Sequence, residues 1–525
     1  MAAGRAGVSP GWSRAEVGKA LMPDRSTPSF DRIAVIDIGS NSLRLVVFER
    51  LGATLLPLLN EKVMCGLGRG IARSGRLNRE GVELAYANLQ RFVALARALD
   101  VDHLVAIATA AVREASDGEE FAAEIERQCG VPVRIVDGPE EARLSAAGVL
   151  AGIPDADGVV GDLGGGSVEL VRINGSGVPA IGEGISLPLG PLRLAELGDS
   201  PRTILDAITR SVEKADLLRT AAGKSLFLVG GAWRAIARLH MEQVRYPLHI
   251  IHQYTVPRRS AETFLEIVAG MSRRSLERIT TVNRKRLELV PLAALILHEL
   301  IAVGAPERIV FSAYGLREGY AYGLLPAQPD VDPLIAACIG VAVSQSRGRS
   351  DGDRLDAWTA PVFGEQPAPL RRLHRAACWL SDIAWTEHPD YRAEQAFTRS
   401  LRMPIGAIDH RERVFIASVL HARYGGAPDD PIKAATRPLL DDRDAADARS
   451  LGLALRLAYT LCGGALDLLD EVALSRDENM LRLELPASGS LFQGEAVERR
   501  VAALGRALGL TPQTTRRRVR RPALA

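Results

Sequence analysis

The sequence predicts an α/β protein of two related lobes, followed by an α-helical domain and a small α+β domain. Three observations carry this. Two stretches share one layout: an apolar strand ending in an aspartate, a Gly/Ser turn and a second apolar strand. One surrounds Asp37, the other Asp162, about 125 residues further on. Each opens a run in which strands and helices alternate, as in an α/β lobe. Beyond the proline-rich stretch from Pro326 to Pro333, the pattern turns mostly helical.

The expected boundaries follow from composition. Residues 1–29 are rich in Gly, Ser, Pro, Arg and Ala without an apolar signal core, and read as a disordered tail. Lobe I takes 30–150 and lobe II 151–325. The helical domain takes 334–440, the α+β domain 441–511, and 512–525 form a basic tail around Arg516–Arg518.

In lobe I, the first hairpin is followed by a glycine-rich loop, Met64–Gly70, and a helix of 3.6-residue period over 79–99. A buried strand at 104–108 ends at Thr109–Ala115, and Asp117 is placed to cap the next helix. A strand from Val133 to Val136 leads through Glu140 and Glu141 to a helix at Ala142. In lobe II, a helix is expected from Thr203 to Ala221. The strand Leu226–Val229 then meets a Gly-Gly turn at Gly230, which either binds an anion at the following helix or simply connects. A strand at 308–311 leads through a small-residue turn into a helix carrying Arg317.

The chain has 65 basic and 63 acidic residues, a net charge of +2, which gives no global case for nucleic acid. No apolar run reaches the ~18 residues of a membrane span. Five dispersed cysteines without metal spacing suit a reducing cytoplasm. In the helical domain, His374, His388, His410 and His421 lie near Asp382, Asp390 and Asp409. Scattered core or surface histidines are favoured there over a metal site, because Ser381 precedes Asp382 where an adjacent His-Asp pair would be needed.

The hairpins carry the chemistry. Glycine leaves no Cβ between backbone and ligand, so successive N–H groups can share one concavity and bind phosphate oxygens. Gly39, Ser40, Asn41 and Ser42 form one such turn; Gly164, Gly165, Gly166 and Ser167 form the other. Asp37 and Asp162 end their strands where a carboxylate can hold a divalent cation. Taken singly, each is also an ordinary glycine-rich β-turn with a solvated Asp. Arg44, Arg113 and Arg317 are candidates for phosphate oxygens, which guanidinium pairs bidentately.

The pieces AVIDIGSNSLRLVV, TAAVREA, GPEEARLSAAGV, GDLGGGSVELV, LVGGAWRAIARL and SAYGLREG occur in order over residues 30–325. They resemble the exopolyphosphatase and guanosine pentaphosphate phosphohydrolase family. The resemblance implies two ribonuclease-H-like lobes of the actin, sugar kinase and heat-shock ATPase superfold with a cleft between them. Residues 334–511 are similar to the C-terminal part of its long members, including a degenerate His-Asp-phosphohydrolase-like domain. It further implies Glu141 as general base, with Glu140 the runner-up, Arg113 as a second catalytic residue, and Thr109 among the substrate-binding groups. Asp37, Asp162 and Glu141 would hold Mg²⁺. The substrate would be inorganic polyphosphate, guanosine pentaphosphate or both, and the protein a homodimer. A kinase or actin-like ATP-binding protein of the same superfold fits the hairpins alone; Glu140–Arg143 and Thr109–Ala115 favour the hydrolase. An alarmone-binding regulator without hydrolysis is a third possibility.

Overall fold

The computed structural model describes residues 31–198, 200–272, 275, 288–326, 331–345, 350–487 and 494–516. The expected tail at 1–29, and that part of the basic tail beyond 516, lie outside the described residues. In lobe I, β1 (Arg32–Ile38), β2 (Ser42–Leu51) and β3 (Thr54–Met64) form an antiparallel meander. β4 (His103–Ala108) and β5 (Val133–Ile135) add in parallel, giving the order β3-β2-β1-β4-β5. Lobe II uses β6 (Asp157–Leu163), β7 (Val168–Asn174), β8 (Ala180–Leu187), β9 (Ser225–Gly230), β10 (Tyr254–Pro257) and β11 (Arg308–Phe311). Its order, β10-β11-β9-β6-β7-β8, repeats that of lobe I as β8-β7-β6-β9-β11, with β10 added at one edge. The duplicated lobe is therefore present strand for strand. Central strands are covered on both faces, which is why Ile33, Ala34, Val35 and Ile36 form an unbroken apolar run.

Helix α1 (Arg79–Ala98) buries Ala85, Leu89, Phe92, Val93 and Ala96, and the Asn78 side chain caps it by accepting from the Gly81 N–H. After the short α2 (Ala110–Glu114) comes α3 (Gly118–Cys129), which Asp117 does not cap. Asp117 Oδ1 instead accepts from the Leu77 N–H at 2.9 Å, tying down a neighbouring loop. α4 (Gly138–Gly152) starts a turn earlier than expected, because Asp137 accepts from the Glu140 N–H and Pro139 suits a first turn that needs no donor. The helix expected over Thr203–Ala221 is α5 (Pro201–Glu213) followed by a separate 3₁₀ segment, Asp216–Ala221. α6 (Gly231–Gln243), α7 (Val290–Gly304) and α8 (Leu316–Gly323) complete the pair of lobes.

The boundary expected at residue 150 is displaced by a crossing. Although α4 precedes it, Ala142, Ala146 and Val149 pack on Val160, Val171, Phe227 and Val310 of lobe II. Conversely, Leu316 and Ala321 of α8 pack on Ile33, Val35, Val105 and Ile107 of lobe I. The two helices cross so closely that a Cβ at Gly319 would sit 1.8 Å from the Leu144 carbonyl oxygen. Only glycine fits there, and the crossing ties the two lobes together.

α9 (Pro333–Gln345), α10 (Ala368–Leu380), α11 (His410–Arg423), α12 (Asp442–Cys462) and α13 (Glu495–Leu508) lie beyond, with β12 (Ala473–Asp477), β13 (Met480–Leu485) and β14 (Thr511–Arg516). Phe397, Phe415, Leu451, Leu455, Leu483 and Leu504 belong to one core, so the division expected at 440 runs through a single packed unit. The start of the expected basic tail is β14, parallel to β13. This unit docks on lobe II: His410 Nδ1 meets the Tyr246 hydroxyl at 2.9 Å, and the Ala407 N–H donates to the Gly152 carbonyl at 2.7 Å.

The histidines of this unit are dispersed. His374 stacks on Phe415 and meets Phe363 edge to face, His421 pairs with Asp430, and His388 lies at the surface. Asp382 faces Arg423 Nη2 at 3.4 Å, and that guanidinium lies over the Tyr424 and Tyr459 rings. A fixed positive charge thus stands beside the carboxylate that a metal site would use. No helix among the described residues is long and apolar enough to cross a membrane. All five cysteines are buried and none is in a disulfide.

Candidate active site

The cleft between the lobes encloses about 330 Å³. Asp37, Gly39, Ser40, Asn41, Ser42, Arg44, Thr109, Glu141, Asp162, Gly164, Gly165, Ser167 and Arg317 all line it. Two sequence candidates do not. Gly166 faces a small cavity behind the hairpins, and Arg113 stands behind Glu141, donating to Glu141 Oε2 at 3.0 Å and to the Val136 carbonyl at 2.8 Å.

The two turns close alike. The Gly39 N–H donates to the Ser42 carbonyl at 3.1 Å, and the Gly164 N–H to the Ser167 carbonyl at 3.0 Å. Those two amides are spent on the turns. The N–H groups of Ser40, Asn41 and Gly165, which line the cleft, have no protein acceptor among the described residues, so they are free donors there. The turns also touch: a Cβ at Gly165 would lie 2.9 Å from the Ser40 Cβ, which requires glycine there.

Arginines and carboxylates meet in the cleft wall. Arg317 Nη1 donates to Asp37 Oδ2 at 2.6 Å. Arg44 lies nearby, and burial, then Arg317 and Arg234, hold its guanidinium down to about 10. Its Nε is buried without a partner, as is that of Arg317. Crowded guanidinium groups around a polar cleft are an arrangement that an anion completes. Arg234 fixes the turn after β11, donating to the Ser312 and Ala313 carbonyls at 3.1 and 2.9 Å.

Glu141 and Asp162 line the cleft, and the buried Glu169 acts on both. Burial first, then Glu169 and Asp162, push Glu141 well above the usual carboxylate range. Burial likewise raises Asp162, whose carboxylate accepts from the Ser145 hydroxyl. Glu169 is pushed up to about 7, chiefly by burial, although Ser186 Oγ donates to its Oε1 at 2.9 Å. Glu140 points elsewhere and pairs with Arg134 at the surface, so Glu141 alone of the two faces the cleft. This is the outcome that helical geometry requires of adjacent residues.

The fit to a divalent cation rests on these carboxylates. No group of three or more His, Cys, Asp or Glu side chains among the described residues forms a ready-made metal cage. Buried carboxylates that raise one another's proton affinity are nonetheless relieved by a cation, and Mg²⁺ takes only one or two of them plus waters and phosphate oxygens. Asp162 and Glu141 are so placed; Asp37 is already engaged by Arg317.

Sequence reasoning missed Glu169, Ser145, Lys62, Arg234 and Arg238. Glu169 alternates with apolar residues along β7 and looks solvent-facing. The strand lies between β6 and β8 and is covered on both faces, so the residue is 1% exposed. Its charge sets the pH response. A general base works deprotonated, so activity falls as pH drops through its pKa, and a raised pKa brings that loss towards neutrality. Glu169→Gln removes a negative neighbour of Glu141 and should move the acidic limb of kcat/KM to lower pH. A profile measured from about pH 5 to 9 whose limb stays in place would separate Glu169 from the base.

A sequence profile of the Ppx/GppA phosphatase family matches residues 45–328, and one of the exopolyphosphatase C-terminal region matches 334–513. Among solved structures, an exopolyphosphatase from Cytophaga hutchinsonii is 25% identical, aligned over 56% of this chain and 97% of that one, with a TM-score of 0.51. An exopolyphosphatase-like protein is 25% identical over 56% of this chain and 98% of its own, with a TM-score of 0.50.

Proposed function

This chain belongs to the Ppx/GppA phosphatase family and is a phosphoanhydride hydrolase, and from that premise we propose that it shortens inorganic polyphosphate processively from one end, releasing orthophosphate. One observation carries the reading: two facing hairpins with free amides meet in a cleft lined by arginines and by a buried, proton-hungry carboxylate. The terminal phosphate is held by the amides of Ser40, Asn41 and Gly165 and by the hydroxyls of Ser42 and Ser167. Thr109 adds a hydroxyl. Glu141 takes a proton from a water as its oxygen forms a bond to the terminal phosphorus. The bridging P–O bond breaks, and the shortened chain leaves with its charge spread over Arg44 and Arg317. Arg113 orients Glu141 rather than touching substrate. Asp162 and Glu141 would hold Mg²⁺, which when bound neutralises charge on the phosphoryl oxygens. A cytoplasmic homodimer is part of the same proposal.

Polyphosphate is favoured over guanosine pentaphosphate by the cleft wall. Lys62, Arg44, Arg234 and Arg238 line it, and no aromatic side chain does so among the described residues. A base is bound by stacking surfaces, a polyanion by cations. The C-terminal unit carries further positive charge: Arg456 is held down to about 10 by burial and by Arg500, Arg423 and Arg499. Purified protein with Mg²⁺ should release orthophosphate from long polyphosphate with a lower KM than from short chains. The KM for long chains should rise more steeply with salt, because each bound phosphate releases counterions. Equal KM values at all lengths, or cleavage of guanosine pentaphosphate alone, would overturn the polymer reading.

A further inference from the structure

Behind the hairpins, away from the substrate face, lies a set of contacts that the proposed chemistry does not use. The glycine-rich loop of lobe I braces the first turn: the Gly66 N–H donates to the Asn41 carbonyl at 3.1 Å, and the Gly68 N–H to the Ser40 carbonyl at 2.8 Å. Lobe II repeats the device. The Gly190 N–H donates to the Gly166 carbonyl at 3.0 Å, and the Leu192 N–H to the Gly165 carbonyl at 3.0 Å. Ser40 and Asn41 correspond to Gly165 and Gly166 in the duplicated lobe, so equivalent positions are held by equivalent bonds.

The two braces then reach across to the opposite lobe. Glu196 Oε1 accepts from the Gly70 N–H at 2.8 Å. Arg193 forms an ion pair with Glu114 of lobe I, while its Nε donates to the Gly166 carbonyl at 3.1 Å. Glu114 follows Arg113, which holds Glu141. A small cavity of about 10 Å³ lies between the braces, lined by Gly68, Glu114, Gly166, Leu192 and Arg193. One short helix of lobe I, α2, is thereby tied to the base on one side and to the second phosphate hairpin on the other.

We propose that Arg193 and Glu196 are positioning residues, an interlobe latch that holds the two phosphate hairpins at the separation the reaction needs. The proposal rests on the phosphohydrolase reading given above. The two hairpins belong to different lobes, which are otherwise joined by the close α4–α8 crossing. The Arg193 and Glu114 side chains are 26% and 35% exposed, so their pair contributes modestly to folding. Its larger effect is geometric, since a misplacement of about 1 Å can cost about 100-fold in rate.

The test uses the full chain with paired spin labels at Glu83→Cys and Asp206→Cys, one exposed site on each lobe; the native cysteines are buried. Arg193→Ala and Glu196→Ala should lengthen or broaden the interlobe distance distribution without substrate, and lower kcat for polyphosphate by about 10- to 100-fold. Glu196→Gln keeps an oxygen acceptor for the Gly70 N–H and should restore both. In a double-mutant cycle, Arg193→Ala and Glu114→Ala should cost little more together than either alone. An unchanged distance distribution in both alanine variants, or a Glu196→Gln as impaired as Glu196→Ala, would overturn the latch. The distance measurement needs no substrate, so it decides the latch even if polyphosphate proves not to be cleaved.

Discussion

Glu141→Gln lowers kcat by about 10²–10⁴, the range for a lost general base, with little change in KM. Glutamine keeps the shape and can still accept from Arg113 Nη1, but it cannot take the proton of the attacking water. Stability separates this from a folding defect. A carboxyl whose folded pKa is raised binds more protons folded than unfolded, between its ordinary and raised values. In that window stability falls as pH rises, so the ionised Glu141 is a liability at neutral pH. The glutamine variant should therefore melt no lower than the parent at pH 7, and higher if the cost is large. Glu140→Gln should leave the rate unchanged, because Glu140 pairs with Arg134 at the surface. Phosphate release by both variants, with their melting temperatures, is the measurement. An inactive Glu140→Gln beside a normal Glu141→Gln would reverse the assignment.

The hairpins, the alternation of strands and helices, and the cleft they imply were legible because each rests on local pattern. Asp, glycine and an apolar run recur at the same spacing around Asp37 and Asp162. The crossing of α4 and α8 was not legible. Both helices are apolar enough to pack on either sheet, and only the three-dimensional path decides which. Glu169 was hidden for the same reason: alternation marks one solvated face, but β7 is covered on both. The Asp117 cap and the run-on helix to Ala221 failed where tertiary bonds outbid local preference, as the Asp117 bond to the Leu77 N–H shows. The interlobe pairs, Arg193 with Glu114 and Arg317 with Asp37, join residues far apart in sequence and leave no periodic trace.

Asp162→Asn should lower the Mg²⁺-dependent rate by at least about 100-fold and raise the Mg²⁺ concentration for half-maximal activity. Asp37→Asn should behave differently, although the two aspartates are equivalent in the repeat. Asp162 accepts only from the Ser145 hydroxyl among its identified hydrogen bonds, and burial keeps its proton affinity high, so it gains from a cation. Asp37 already has a cation in Arg317 at 2.6 Å. An asparagine there leaves the buried guanidinium poorly matched, at a cost of about 1–3 kcal/mol in stability. Because Arg317 also lines the cleft, KM for polyphosphate should rise while the Mg²⁺ requirement stays near that of the parent. Asp162→Asn has a second signature. Removing its charge lowers the proton affinity of Glu141 and Glu169, so the acidic limb of any residual activity should shift to lower pH. Titrating Mg²⁺ against phosphate release at fixed pH, with melting temperatures for both variants, distinguishes the roles. An unchanged Mg²⁺ dependence and rate in Asp162→Asn would remove Asp162 from the metal site. A shifted Mg²⁺ dependence in Asp37→Asn alone would exchange the two assignments.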